Sequence, residues 1–482
     1  MRATGDFAPV PKEPIMPLPT HYDVLNSALA PLPDAQRLLL IKGGMIVTMD
    51  DALGNFAEGD VLIRGTEILQ VGVNLPADGA EVLDAKGMIV IPGMVDTHRH
   101  AWEGQLRRIN PDSPSLEDYC NATHFSFAKY YRPRDMYVGN MLSALGAINA
   151  GITTIIDNSH NARSGAHSDA AIEALQDAGI RAVHAPGAPL SGEWESTQWP
   201  GDLRRLKDKV AGHSDSLVTL AMMSQINREQ WAVARELGLN IVTEFFGAGM
   251  ASELDALQEE GLLGPDNIFN HCTCLPDQGW SILRHAGVKV NVCPRSDAHY
   301  GLEDGVFAWQ KAVDHGMNPG LSVDNESSYG GDMFGEMRVA FYLQRAAAHS
   351  AHFHGKPAAP ALVNTRQLLK AATLDGAACA GLASTIGSIT PGKQADIVLI
   401  RTDNLSVYPS NNALGTVVHA AERGDIDTVL IAGRIRKQGG VVLGVDRQQL
   451  NLATEESREF LFRAAGYSAD PFAEQFTPLH AS

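Results

Sequence analysis

His98 and His100 follow the run Met94-Val95-Asp96-Thr97 and stand two positions apart. On an extended chain such residues leave on the same side, so their imidazoles can grip one ion, and neutral imidazole is the commonest metal ligand. Asp324 ends the apolar run Gly320-Leu321-Ser322-Val323. A carboxylate there is costly unless it is paired or binds metal. Asp324 can therefore ligate an ion with one oxygen and take a proton from water with the other. His271, within Asn270-His271-Cys272-Thr273-Cys274, is either a further imidazole for the same centre or a buried histidine bonded to a backbone carbonyl. Cys272 and Cys274 lack the second half of a structural zinc pattern and read as small packing residues. Arg295 can hold a substrate oxyanion in its fork; alternatively it pairs with Asp297 or Asp324 to orient its loop. His299, in the same loop, and Trp102 and Gln105, after the histidine pair, are expected substrate contacts. Asp332 and Glu336 read as the solvated first turn of a helix.

These residues converge only if the chain returns repeatedly to one place. The central region alternates strand and helix, with expected strands at 88–96, 152–157, 181–185, 217–223, 240–245, 268–272, 288–293 and 320–324. Helical patterns occupy 135–150, 168–178, 230–237, 251–260 and 276–286, and Gly151, Gly179, Gly238 and Gly287 follow as C-terminal stops. Eight strands with intervening helices over 91–384 match a (β/α)8 TIM-like barrel, whose chemistry sits at the C-terminal ends of its strands. His98, His100, His271 and Asp324 all fall at such ends. A doubly wound open sheet is the runner-up, but no G-x-G-x-x-G follows any strand, so a dinucleotide site is not supported.

Short β runs with glycine punctuation appear on both flanks, which predicts a small β-sandwich domain composed of 36–90 and 385–450. Residues 1–35, with seven prolines, form an N-terminal arm, and 451–482 a helical tail. Lys and Arg number 38 against 56 Asp and Glu, a formal charge of −18. That balance argues against nucleic acid and anionic membrane as partners. No stretch approaches the roughly 18 apolar residues of a membrane span. The five cysteines show no secreted spacing and read as reduced thiols, so a cytoplasmic protein with a small-molecule substrate is expected.

The segment Ile91-Pro92-Gly93-Met94-Val95-Asp96-Thr97-His98-Arg99-His100 resembles the signature of the amidohydrolase superfamily, in the branch of cytosine deaminase-like and triazine hydrolase-like enzymes. So do the run to Asp157, Asp332-Met333-Phe334-Gly335-Glu336-Met337-Arg338, and the stretch from Gly387 to Val398. The resemblance implies one divalent metal, zinc with iron as the alternative, held by the first-strand pair, a fifth-strand histidine and the eighth-strand aspartate, with the sixth-strand histidine beside it. It also implies a homo-oligomer. Glu244 stands where the family has the fifth-strand histidine, and Gly247 stands where many deaminases of this branch carry a glutamate. No lysine on the fourth strand is present to bridge a second metal. Glu244 is a ligand, or a general acid or base with His271 moving in to bind the ion, or the sign of a decayed site. As a ligand it makes the set more anionic and the ion a weaker Lewis acid.

The expected activity is hydrolysis at a C–N bond of an amide, cyclic amide or aminated heterocycle. Asp324 deprotonates the water, His271 stabilises the developing oxyanion, and Glu244 belongs to the catalytic or the ligand set. The missing glutamate at Gly247 favours amide or ester-like hydrolysis over deamination. A lyase (decarboxylase or dehydratase) on the same scaffold and a non-catalytic small-molecule-binding relic are the alternatives.

Overall fold

The computed structural model describes residues 32–194, 199–213, 216–356 and 359–472. Most of the proline-rich arm and the last residues of the tail lie outside them.

The central strands run Met94–Arg99, Ile152–Ser159, Arg181–Pro186, Val218–Leu220 with Met222–Met223, Ile241–Phe245, Asn267–His271, Lys289–Val292 and Gly320–Leu321. Their residues alternate between two apolar clusters. Val95, Ile156, Val183, Val242 and Ile268 meet one another on one face. Their neighbours Met94, Ile155, Ala182, Ile241 and Phe269 enter the larger core on the other. Strands apolar on both faces belong to a parallel sheet covered by helices, and every pairing among them is parallel. The helix Leu374–Cys379 joins the first cluster through Ala377 and Cys379.

The ladders form two arcs, of four and five strands, instead of one unbroken sheet. At one seam a single run is shared: Val218–Leu220 pairs with the third strand and Met222–Met223 with the fifth. At the other seam Arg99 and Asp324 form an isolated parallel bridge. The expected eighth strand, 320–324, stops at Leu321. Beyond it the Val323 amide bonds the Asp96 side chain instead of a neighbouring strand, and Asp324 turns into the left-handed region at φ 73°. The expected first strand also divides. Met88–Pro92 belongs to the peripheral sheet and Met94–Arg99 to the central one, with the buried Gly93 between them donating its amide to the Asp396 carbonyl.

Strands from both chain ends join in one nine-stranded sheet. Its centre is the antiparallel pair of Met88–Pro92 and Ile397–Arg401, beside which Leu38–Ile46 lies parallel to Met88–Pro92. Ile41, Val61 and Val90 from the first end pack with Ile397, Leu399 and Leu430 from the other. The predicted helices appear with shifted ends, except that 251–260 divides into Gly247–Ala251 and Leu254–Glu259. Helix Arg447–Ala464, in the expected tail, returns to pack on Pro133–Asn149, where the Ser457 hydroxyl donates to Asp135 at 2.8 Å.

Candidate metal centre

His98 closes the first central strand with its side chain fully buried, and its Nδ1 meets the side-chain amides of Asn158 and Asn270. Nε2 is left facing inward. His100 is oriented in the same way, its Nδ1 bonded to the Asn158 carbonyl at 2.8 Å. Both imidazoles thus stand on the end of the second strand, and a ring whose Nδ1 is fixed offers Nε2 as a ligand.

Asp324 lies across the seam. Its amide donates to the His98 carbonyl at 2.8 Å and its carbonyl accepts from the His100 amide at 2.7 Å. Oδ1 sits 3.1 Å from His98 Nε2 and 3.2 Å from His100 Nε2, while Oδ2 is held by the Ser296 hydroxyl and the Asn325 amide. Glu244, on the fifth strand, is arranged in parallel. Oε2 is 3.2 Å from the Asn270 amide and 3.3 Å from His271 Nε2. Oε1 is 3.4 Å from His98 Nε2, 3.8 Å from His100 Nε2 and 3.5 Å from His160 Nε2. Burial opposes charge on both carboxylates, but the surrounding imidazoles outweigh it and hold Glu244 and Asp324 well below the usual carboxylate range. Burial also opposes charge on His100, yet Asp324, Glu103 and Glu244 raise it to about 10.

Among His98, His100, Glu244 and Asp324, the buried atoms with no hydrogen-bond partner are His98 Nε2 and Glu244 Oε1. Such atoms are costly unless something else satisfies them. Zinc ligands at about 2.0–2.2 Å around a tetrahedron are separated by about 3.3–3.6 Å. The separations of His98 from Glu244 and Asp324 lie close to that span, and the donor atoms of His98, His100 and Glu244 all fall within 4.8 Å of one another. The residues therefore fit a divalent cation.

His271 sits between carboxylates, its Nδ1 2.7 Å from Asp297 Oδ1 and its Nε2 against Glu244. Burial disfavours its charge, but Cys293 and Asp297 raise its pKa well above the ordinary imidazole value. It is in a left-handed conformation, φ 66°, like Asp324. Such backbone costs on the order of 1–3 kcal/mol in a residue other than glycine, and clusters where geometry matters.

Several expectations are corrected. Arg295 pairs with neither Asp297 nor Asp324; its Nε donates to Glu336 at 2.6 Å and its Nη2 to the Asp332 carbonyl at 2.9 Å. The fork is spent on holding the helix Met333–Phe353. Glu336, expected in solvent, is fully buried because it is that partner. Gln105 turns away from the cluster, its amide donating to the Asp135 carbonyl and the Ser457 hydroxyl, both at 3.0 Å. Trp102 is fully buried in the core against Tyr131 and His124. His299 is half-buried beside Tyr300 and Tyr329, with a buried Nε2 that lacks a partner. Cys272 packs inside as expected, but Cys274 is exposed.

Two site residues escaped the sequence. His160 follows the second strand by one residue and reaches Glu244. The polar run Asp157-Asn158-Ser159-His160 after an apolar strand was the available signal. Glu103 is fully buried beside His100, accepts from the Tyr119 hydroxyl at 2.7 Å, and is pushed up to about 7 chiefly by burial.

Known proteins resemble the chain over nearly its whole length. It is 26% identical over 448 residues to a 5'-deoxyadenosine deaminase of Methanosarcina mazei, covering 88% of this chain and 98% of that one. It is 28% identical to a 5-methylthioadenosine/S-adenosylhomocysteine deaminase of Pyrococcus furiosus, covering 86% of this chain and 98% of the other. Among solved structures, a mutant atrazine chlorohydrolase from Arthrobacter aurescens TC1, complexed with zinc and atraton, superposes with a TM-score of 0.77 at 21% identity, over 87% of this chain and 100% of that one. An adenosine deaminase from Xanthomonas campestris with bound zinc does so at 0.77 and 22%, over 89% and 100%. These two similarities show a shared α/β fold. The amidohydrolase family pattern matches residues 89–436, a stretch that contains every residue of the cluster. By that match the chain belongs to the amidohydrolase family and is an amidohydrolase-type enzyme.

Proposed function

We propose that the protein is a metal-dependent hydrolase that uses water to break a C–N bond in a small molecule, with an aminated heterocycle as the first substrate class to test and cyclic amides as the second. The observation that carries this is the pair of unpartnered buried atoms, His98 Nε2 and Glu244 Oε1, facing each other beside His100 and Asp324. His98, His100, Glu244 and Asp324 would hold one divalent ion, zinc in the first instance. When bound, the ion supplies Lewis acidity and makes water a better nucleophile. Asp324, fixed through Oδ2 by Ser296 and Asn325, accepts the proton of the attacking water. His271 has a carboxylate at each ring nitrogen, so it serves as a proton donor to the leaving group or a stabiliser of the oxyanion and leaves ligation to Glu244. The names of the curated relatives move the proposal toward deamination, against the inference from Gly247.

The two arcs read as halves of one eight-stranded barrel over 91–384, and the nine-stranded sheet as a curled sandwich of 36–90 and 385–450. Five unpaired cysteines suit a cytoplasmic location, and a homo-oligomer is the expected assembly.

The test is metal analysis of the purified chain and its Glu244→Ala and Glu244→His variants, with a panel of aminated heterocycles, lactams and amides in oxygen-18 water. We expect one equivalent of metal in the parent, loss in the alanine variant and retention in the histidine variant, with label entering the product. Unchanged metal content in Glu244→Ala would remove Glu244 from the ligand set. Turnover without label would favour the lyase.

A further inference from the structure

We infer that His160 is an additional ligand in the same centre, so that the second strand contributes an imidazole to a divalent cation. The inference rests on the metal-dependent reading above and extends it to a residue outside the four proposed ligands.

His160 begins one residue beyond Ile152–Ser159, the strand whose Asn158 orients both His98 and His100. Residues two apart on an extended run share a side, so the position that orients the pair is followed by one that can join it. His160 is buried, with its ring centroid 5.1 Å from that of His100. Its Nε2 lies 3.5 Å from Glu244 Oε1, a separation that two donors to one ion can have, and with the four proposed ligands it would make a five-coordinate set. Glu244 Oε1 is thus the common neighbour of three imidazole Nε2 atoms, at 3.4, 3.5 and 3.8 Å. This buried carboxylate oxygen, which makes no hydrogen bond, faces three imidazoles: those of His98 and His100 form with it a set of donors within 4.8 Å of one another, and His160 meets that set through Glu244. Asp324 Oδ1 covers His98 and His100 from the other strand end. A neutral imidazole adds a donor without adding charge: two carboxylates balance a dication with or without it. The simpler alternative is that His160 only steadies Glu244, and affinity alone does not separate these roles, because removing a residue that orients a ligand also weakens binding by about 10–100-fold.

The test uses the full chain, stripped with a chelator and loaded with cobalt(II), whose visible bands report coordination. Wild type, His98→Ala, His160→Ala and His160→Cys are compared for stoichiometry, chelator-competition affinity and absorption. We expect one cobalt in wild type, none tightly held in His98→Ala, and shifted visible bands with at least about tenfold weaker binding in His160→Ala. His160→Cys should add a thiolate-to-cobalt charge-transfer band beyond the wild-type spectrum. That band is a gained signal, so a poorly folded alanine variant does not obscure the result. Wild-type bands in His160→Ala with no added band in His160→Cys, while His98→Ala loses the metal, overturn this inference alone. A wild-type chain that holds no cobalt overturns the metal-dependent reading itself.

Discussion

Arg99 stands between the two histidines and points the opposite way, into a fully enclosed ionic knot. Its Nε meets Asp96 at 2.7 Å and its Nη1 meets Glu326 at 3.2 Å, while Nη2 donates to the Gly331 carbonyl. Asp96 in turn accepts from the Val323 amide at 2.9 Å. The knot ties the strand carrying His98 and His100 to the segment carrying Asp324. Breaking a buried pair by removing one partner costs about 3–5 kcal/mol, so Arg99→Met should lose stability of that order in denaturant unfolding. A change below about 1 kcal/mol, the range of exposed pairs, would show that the knot contributes little. His98, His100, His271 and Asp324 were expected together because each stands at the end of an expected strand, and the structure does bring their buried side chains into one cluster. His160 was not, because the run was read as ending at Asp157 and a lone histidine has no spacing partner. Arg295 was misassigned for a related reason: its partner Glu336 is remote in sequence, on a helix whose burial no local pattern shows.

The turn Ala101–Leu106, directly after His100, crosses the helix Pro133–Asn149 through two glycines. A Cβ on Gly104 would strike the Gly139 carbonyl, and one on Gly139 would strike the carbonyl of Trp102. Backbone therefore meets backbone, and the turn's position sets how His100 leaves its strand. Overpacking costs about 1–3 kcal/mol. Gly139→Ala should lower thermal stability by that amount and weaken metal binding in chelator competition, although it touches no ligand. Full affinity in a folded variant would separate the crossing from the site. At this scale the sequence was informative about periodic elements and poor at their limits. The helix ends at Gly179 and Gly287 appear as expected, with φ of 65° and 74°. The short eighth strand did not, because a hydrogen bond from the Val323 amide to the Asp96 side chain replaces a ladder bond there and leaves no mark in the hydrophobic pattern.

The peripheral sheet holds the central strands by buried polar contacts as well as apolar ones. Arg181, opening the third central strand, makes a two-pronged contact with Asp396 at 3.1 and 2.9 Å. Arg436 and Lys437 donate to the carbonyls of Ala178 and Asn149, each the last residue of a central helix, where positive charge is favoured. Arg181→Met leaves Asp396 buried without this partner. Calorimetry should show the peripheral sheet melting earlier than in the parent; a melting profile unchanged from the parent's would show that the remaining contacts suffice. The union of both chain ends was legible from matching β texture, whereas the pairing of Met88–Pro92 with Ile397–Arg401 was hidden because the first of these was read as the start of a central strand. That pairing also constrains synthesis. Pro92 leaves the ribosome about 300 residues before Ile397, and at about 5–20 residues per second the edge of its strand waits on the order of 15–60 seconds for its partner. An open, wholly apolar edge is a template for pairing with other chains. The nascent protein is therefore most exposed to aggregation in that interval, and slowing translation between the two strands should lower soluble yield without altering the sequence.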